Sequence, residues 1–422
     1  MPARDKLAIH GGKKVVPDIV VKTWPPITEE DEKAVQRALR SGELSGATAP
    51  ETSALQKEWA DYVGVKYCLA TNSGTAALHM AVAASGVGPG DEVITTALSW
   101  TSTGTCILHH NGIPIFVDID PKTYNINPEK IEEKITENTK AILPVHLYGQ
   151  PADMDPIMEI ARRHNLIVIE DACQAHGAGY KGRKAGSIGH MAAFSTQNYK
   201  HVVSGEGGLF VTDNENYYEE AARVQQFGER RRSDGKREYD VYGMGWMYRT
   251  AEMPSALARS QLRRLDEYIR LIRENCNFLT KHLGKIKGLR VPYIAPDRTS
   301  VYWDYKVRFV PDELGLDMPP GKFARSVVEA LKAEGVYLTR WEFVIPAMTL
   351  FQEKRGYGKG CPWSCRFGRD VKYNVEDYPE ANRAIESIIG IAGIKPPNGL
   401  ELMKYYVEAF DKVFDNLDQV IG

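Results

Sequence analysis

Between residues 67 and 212, short apolar runs alternate with amphipathic stretches, and this limits the fold more than any other feature of the 422 residues. The runs lie at 67–71, 92–95, 113–117, 141–145, 166–169, 192–195 and 208–212, the fifth leading directly into Glu170 and Asp171. Helical spacing fills 74–84, 101–110 and 156–164 between them. A run of four or five apolar residues closed by a turn suits a strand buried on both faces. Repeated strand–helix units then give a mostly parallel sheet covered by helices. The expected class is α/β, built on a seven-stranded sheet.

The flanks read differently. Thr28 followed by Glu29, Glu30 and Asp31 is a helix start, with a capping hydroxyl and acids in the first turn. That helix is expected to run to about Ser41. A second covers about 52–63, with Leu55, Trp59, Tyr62 and Val63 on one face. Past residue 250 the alternation stops. One long helix is expected over 252–283, then strands within 301–310 and helices over 321–334 and 399–417. The expected organisation is an N-terminal arm (1–26), a large α/β domain (27–285) and a smaller α+β domain (286–422).

Composition removes several function classes. A formal net charge of −2 offers no broad field for nucleic acid or an anionic membrane. The apolar runs are too short to span a bilayer, and Met1–Lys6 lacks the apolar core of a signal peptide, so a cytoplasmic protein is expected. Of six cysteines only Cys361 and Cys365 are close, one residue wider than CxxC and without a second pair. No metal site is expected, and these two read as free thiols in a loop.

Two residues carry the chemistry. Asp171 ends a buried strand, where an ionised carboxylate needs a cation or several donors. Asp171 is preferred to Glu170 because it lies nearer the strand tip. Lys200 follows another strand and precedes the turn Gly205-Glu206-Gly207-Gly208. An aspartate and a lysine about thirty residues apart, each at the tip of an apolar strand, suit pyridoxal phosphate, the acid holding the ring nitrogen protonated and the amine forming a Schiff base. Asn72-Ser73-Gly74-Thr75 opens a helix whose free N–H groups suit a phosphate, although Ser-Gly-Thr alone is also a plain N-cap. Ser195 and Gln197 could add donors. Trp100, at a strand–helix junction, could stack on a planar cofactor or fill the core. His176 reads as a structural hydrogen-bonder.

With Ser-Gly-Glu-Leu-Ser-Gly at 41–46, Gly-Pro-Gly-Asp-Glu-Val at 88–93, Pro-Val-His-Leu-Tyr-Gly at 144–149 and Glu-Asp-Ala-Cys-Gln-Ala-His-Gly at 170–177, the chain resembles the DegT/DnrJ/EryC1/StrS family of sugar aminotransferases. The resemblance implies pyridoxal phosphate fold type I, a homodimer with sites at the interface, and cycling between pyridoxal and pyridoxamine phosphate. It places Gly74, Thr75, Ser195 and Gln197 at the phosphate, Trp100 on the ring, Asp171 at the ring nitrogen, Gln174 near the phenolic oxygen and Lys200 at the aldehyde. Ser45, Gly46 and Tyr148 become substrate neighbours by family position. Arg230, with Arg231 and Arg232, either binds an anionic substrate or forms a solvated charge run. Glutamate or glutamine is the implied donor, and a nucleotide-linked keto sugar or a keto-cyclitol the acceptor. Two departures stand out. Met247 replaces the asparagine of Gly-Tyr-Asn-Tyr-Arg, and a thioether cannot donate as an amide does. Gln197-Asn198-Tyr199 replaces the usual residues before the lysine. A keto-sugar dehydratase and a non-catalytic regulator of the same fold remain open, although the lysine at 200, with histidine only at 201, favours transamination.

Overall fold

The computed structural model describes residues 6–18, 21–46, 49–231, 237–340 and 343–421. Its centre is a seven-stranded sheet: β1 (Tyr67–Thr71), β2 (Glu92–Thr96), β3 (Ile113–Val117), β4 (Thr139–Leu143), β5 (Ile167–Asp171), β6 (Met191–Ser195) and β7 (Gly208–Thr212). The order is β1-β7-β6-β5-β4-β2-β3, with β7 antiparallel to both neighbours and the other pairs parallel. Thr71, Thr96, Asp171 and Ser195 therefore end on one edge of the sheet, where open α/β sheets bind ligands. The strand expected at 141–145 begins two residues earlier, at Thr139.

Helices α1 (Glu29–Ser41), α2 (Pro50–Val63), α3 (Gly74–Ala84), α4 (Ser102–Leu108), α5 (Met154–His164) and α6 (Glu215–Gln225) pack around this sheet. Thr28 and Asp31 form the capping box of α1. The single helix expected over 252–283 is two, α7 (Glu252–Leu262) and α8 (Leu265–Leu283). The break falls where Arg264 leaves helical geometry and forks onto Asp31, with Nη2 at 2.7 Å from each carboxylate oxygen and Nη1 at 2.7 Å from Thr28 Oγ1.

The C-terminal part holds a four-stranded antiparallel sheet: β8 (Leu289–Arg290), β9 (Lys306–Phe309), β10 (Leu338–Thr339) and β11 (Ile388–Ile391), in the order β8-β9-β11-β10. Its apolar core takes in Leu279 and Leu283 of α8, Phe309, Phe323 and Phe410, and from the arm Leu7 and Val16. Ile345, Phe351, Trp363 and Tyr373 pack instead against Phe116 of β3 and Leu98, on the large sheet. Met1–Asp5, read above for a signal sequence, lie outside the described residues. Among the described residues no helix is long and apolar enough to cross a membrane.

Cys361 and Cys365 are disulfide-bonded, not the free thiols expected from their spacing. A turn over 361–364 brings their Cα atoms to 5.3 Å, inside bridging range. The other four cysteines are buried and free.

Burial by itself would raise the carboxyl pKa of Asp31, but bonds from the Thr28 backbone and Arg264 hold it below the ordinary value. The Arg264→Met variant should lose about 2–3 kcal/mol in chemical denaturation, since it strands a buried carboxylate. Because the folded pKa is depressed, the wild-type advantage is full above the ordinary aspartate value of ~3.9 and fades as pH falls through the lowered one. Equal stability of the two proteins at pH 7 would refute this role.

Candidate active site

Consecutive residues of a strand face opposite sides of the sheet, and β5 places two acids this way. The carboxylate of Glu170 is fully buried and accepts from His146 Nε2 at 2.8 Å and from the backbone N–H groups of Gly186, Ile188 and Gly189 at 2.7, 2.7 and 2.6 Å. Burial pushes its pKa up, yet His146 and the backbone donors outweigh that and hold it below the ordinary value. Glu170 is thus a structural acid with its needs met.

Asp171, 5% exposed, has fewer partners. Its Oδ2 accepts from Thr103 Oγ1 and its Oδ1 from the Cys173 N–H, at 2.9 and 3.2 Å. Thr103 is itself held by Ser99 Oγ at 2.9 Å. Among the described residues no cation stands within 4.0 Å of this carboxylate. A buried carboxylate with two donors and no counter-charge still calls for a cationic N–H.

An anion-binding corner lies beside it. Helix α3 begins at Gly74, capped by Ser73 Oγ, which accepts from the Ala76 N–H at 3.0 Å. A Cβ at Gly74 would sit 2.7 Å from the Ser195 Cβ and 3.1 Å from Cys173 Sγ, so only glycine lets the helix start approach the end of β6. Thr75 Oγ1 pairs with Ser102 Oγ at 2.8 Å, drawing the starts of α3 and α4 together. Two helix N-termini and the hydroxyls of Thr75, Ser102 and Ser195 so converge, an arrangement that favours a bound anion. Gln197 Oε1 caps the Tyr199 N–H at 2.9 Å, and the Gln197 carbonyl accepts from the Lys200 N–H at 2.9 Å.

Lys200 sits in the turn after β6, its Nζ 4.4 Å from the centroid of the Trp303 ring. Burial pushes its ammonium below the ordinary lysine value, against the pull of Cys173, Asp171 and Glu206. A lysine so placed is a better nucleophile and proton carrier than a solvated one. Trp100 is 51% exposed, which removes the core alternative, and meets Phe343 edge-on at 5.8 Å. Gln174 Oε1 accepts from the Tyr148 N–H at 2.8 Å, leaving its NH2 without a partner among the described residues. Tyr148 is buried in left-handed geometry (φ 55°) with Lys306 Nζ 5.1 Å from its ring.

Other expected residues lie apart. Ser45 is exposed and pairs through its backbone with Ala251, and Gly46 precedes two residues that are not described. Arg230 is exposed on the strand Glu229–Arg231, which pairs with Arg237–Val241, and stacks at 3.9 Å on Tyr242; Arg232 falls outside the described residues. Met247 is 52% exposed, its carbonyl accepting from Asn72 Nδ2 at 3.3 Å. Among the described residues neither ring nitrogen of His176, expected to be a structural hydrogen-bonder, meets hydrogen-bond geometry, although the Ser195 backbone acts on it. It packs between Trp59 and Phe194, and burial first, then the Lys200 charge, lower its pKa to about 3. The sequence reading missed Ser102 and Thr103, although both follow Trp100 within three positions. It also missed Trp24 and Trp303, whose indole N–H groups hold the carbonyls of Lys200 and Tyr199 at 3.1 and 2.9 Å. No local pattern marks those two.

Known proteins share this architecture. The model of the DegT/DnrJ/EryC1/StrS aminotransferase family matches residues 25–370. L-glutamine:scyllo-inosose aminotransferase of Streptomyces griseus is 33% identical over 98% of this chain and 99% of its own. GDP-perosamine synthase of Caulobacter vibrioides is 42% identical over 60% of this chain and 67% of its own. Spr1654 from Streptococcus pneumoniae, solved in its PLP form, superposes with a TM-score of 0.81 at 22% identity over 93% of this chain and 98% of its own, a likeness of fold. With a family match over most of its length and a relative similar from end to end, the chain belongs to the DegT/DnrJ/EryC1/StrS aminotransferase family.

Proposed function

We propose that this chain is a pyridoxal phosphate-dependent transaminase that moves an amino group from glutamine or glutamate to a keto sugar or keto-cyclitol. The observation that carries the reading is Asp171, a buried carboxylate with two donors and no cation, on the sheet edge that also bears a partly desolvated lysine. A pyridinium N–H is the counter-charge this acid lacks, and the convergent starts of α3 and α4 suit the phosphate. The residues present fit the group. Glutamine is favoured as donor by likeness to the Streptomyces griseus enzyme, and the two relatives above are named for an inosose and a GDP-linked sugar.

When bound, pyridoxal phosphate supplies an aldehyde for the amine and a ring that withdraws electrons from the substrate carbon. Asp171 would hold the proton on the ring nitrogen, with Thr103 and the Cys173 N–H fixing the carboxylate. The N–H groups at Gly74 and Thr75, with the hydroxyls of Thr75, Ser102 and Ser195, would hold the phosphate. Trp100 would cover the ring face and the free NH2 of Gln174 would donate to the phenolic oxygen. Lys200 Nζ would take the proton from the donor's α-carbon and return one to the acceptor, the general acid–base role its lowered pKa favours.

Assembly as a homodimer is part of the proposal. Tyr239, Val241 and Met244, on or just beyond the strand Arg237–Val241, are 76%, 63% and 74% exposed, an apolar group that a second copy would cover.

Four measurements bear on this. Borohydride reduction of the holoenzyme should fix the pyridoxyl group on Lys200, and Lys200→Ala should cut amine transfer by at least ~10²–10⁴-fold. Label on another lysine would end this assignment. Asp171→Asn should lower kcat by about 10²–10³-fold while the protein stays folded, because a neutral amide cannot supply the missing charge. Light scattering should give the mass of two chains, and a monomer retaining full activity would refute the dimer.

A further inference from the structure

Lys395 belongs to no assignment made so far. It follows β11, and its ammonium donates to the Tyr199 carbonyl, which also accepts from Trp303 Nε1. Its Nζ stands 5.8 Å from the centroid of the Trp303 ring and 5.5 Å from that of Trp24. Lys200 Nζ lies over the same Trp303 ring at 4.4 Å. Two amines from distant parts of the chain thus share one indole. Among the described residues neither has a carboxylate within 4.0 Å, because the nearby acid Asp304 is paired with Lys306 at 2.9 Å.

A poorly solvated ammonium without an ion pair costs free energy that an anion from outside can offset. Both amino donors named above carry a carboxylate one carbon away from the amine. With that amine at the Lys200 nitrogen, the carboxylate needs a cation close by, and Lys395 is the amine that shares the Trp303 ring with Lys200. We propose that Lys395 binds the α-carboxylate of the amino donor, making the Trp24–Trp303–Lys395 corner the donor subsite. The inference rests on Lys200 as the attachment point but adds a binding role that Lys200 does not fill.

The surrounding charges give this site a proton signature. Burial is the largest influence on Lys395 and, with the Lys200 charge, brings its pKa to about 7 against the opposing pull of Asp304. Asp171, Cys173 and Glu206 act on Lys200, while burial keeps the neighbouring His176 and His201 neutral. With its pKa lowered this way, Lys395 is not fully protonated at pH 8. A carboxylate arriving beside it raises its pKa, so binding takes up a proton.

The test uses borohydride-reduced holoenzyme, which cannot turn over, titrated with glutaramate, which is glutamine without its amine. Calorimetry at pH 8 in two buffers of different ionisation enthalpy should show binding with proton uptake in the wild type. K395M should bind roughly ten- to hundredfold more weakly, as expected for a lost charge-assisted hydrogen bond, and without proton uptake. K395R should keep most of the affinity, and K395Q replaces K395M if that variant does not fold. In turnover, KM for glutamine should rise far more than kcat falls. An amine donor lacking the α-carboxylate should react equally with wild type and K395M. Undiminished glutaramate affinity in the neutral variant, or the same loss in K395R, would overturn the proposal. The position of the pyridoxyl label, read in the same reduced sample, tests the attachment lysine separately.

Discussion

Two carboxylates, side by side at the end of one buried strand, are the constraint on which the rest of the site depends. Taking a carboxylate out of water costs several kcal/mol unless donors or cations replace the lost solvent. Glu170 has its replacement in full, from His146 and three backbone N–H groups of the loop before β6. That loop is held in place by the acid it serves. Asp171, on the opposite face, has among the described residues only Thr103 and one backbone N–H as donors. The difference separates an acid that builds the fold from one that awaits a partner.

The contacts proposed for the cofactor's phosphate follow from the same sheet edge. The approach of α3 to the end of β6 requires a residue without a Cβ at position 74, so the proposed phosphate corner and the lysine turn are held by one close contact. The Thr75–Ser102 bond ties α4 to that corner, and Thr103, next along α4, reaches Asp171. Anion site and carboxylate are therefore set by neighbouring residues of one short helix. A shift of α4 would disturb both together.

How much of this could be read from the sequence depended on the range of the interactions. The strands at 67–71, 113–117 and 208–212 and the helix at 74–84 match the expected bounds, because buried strands and capped helices carry their signals locally. The helix break at Arg264 was not legible, since its cause is the carboxylate of Asp31. The cysteine spacing gave no sign of the turn that brings Cys361 to Cys365. Asp171 and Lys200 stood out because their side chains conflict with the apolar strands that present them. Lys395 did not, because a lysine between Gly-Ile and Pro-Pro looks like any solvated one.

That last contrast bears on how the two sheets cooperate. Trp24 comes from the arm, and Trp303 and Lys395 from beside the small sheet. The two indole N–H groups grip the carbonyls of Tyr199 and Lys200, in the turn that carries Lys200. The arm is tied to the small sheet in turn, through Leu7 and Val16 in its core. The backbone of the lysine turn is thus held from the C-terminal side, whereas Asp171 and the phosphate corner are fixed within the large sheet. Any motion of the small sheet against the large one would move the Lys200 carbonyl relative to the Asp171 carboxylate. The two indole N–H bonds resist that motion, and this accounts for tryptophans from opposite ends of the chain meeting at one turn.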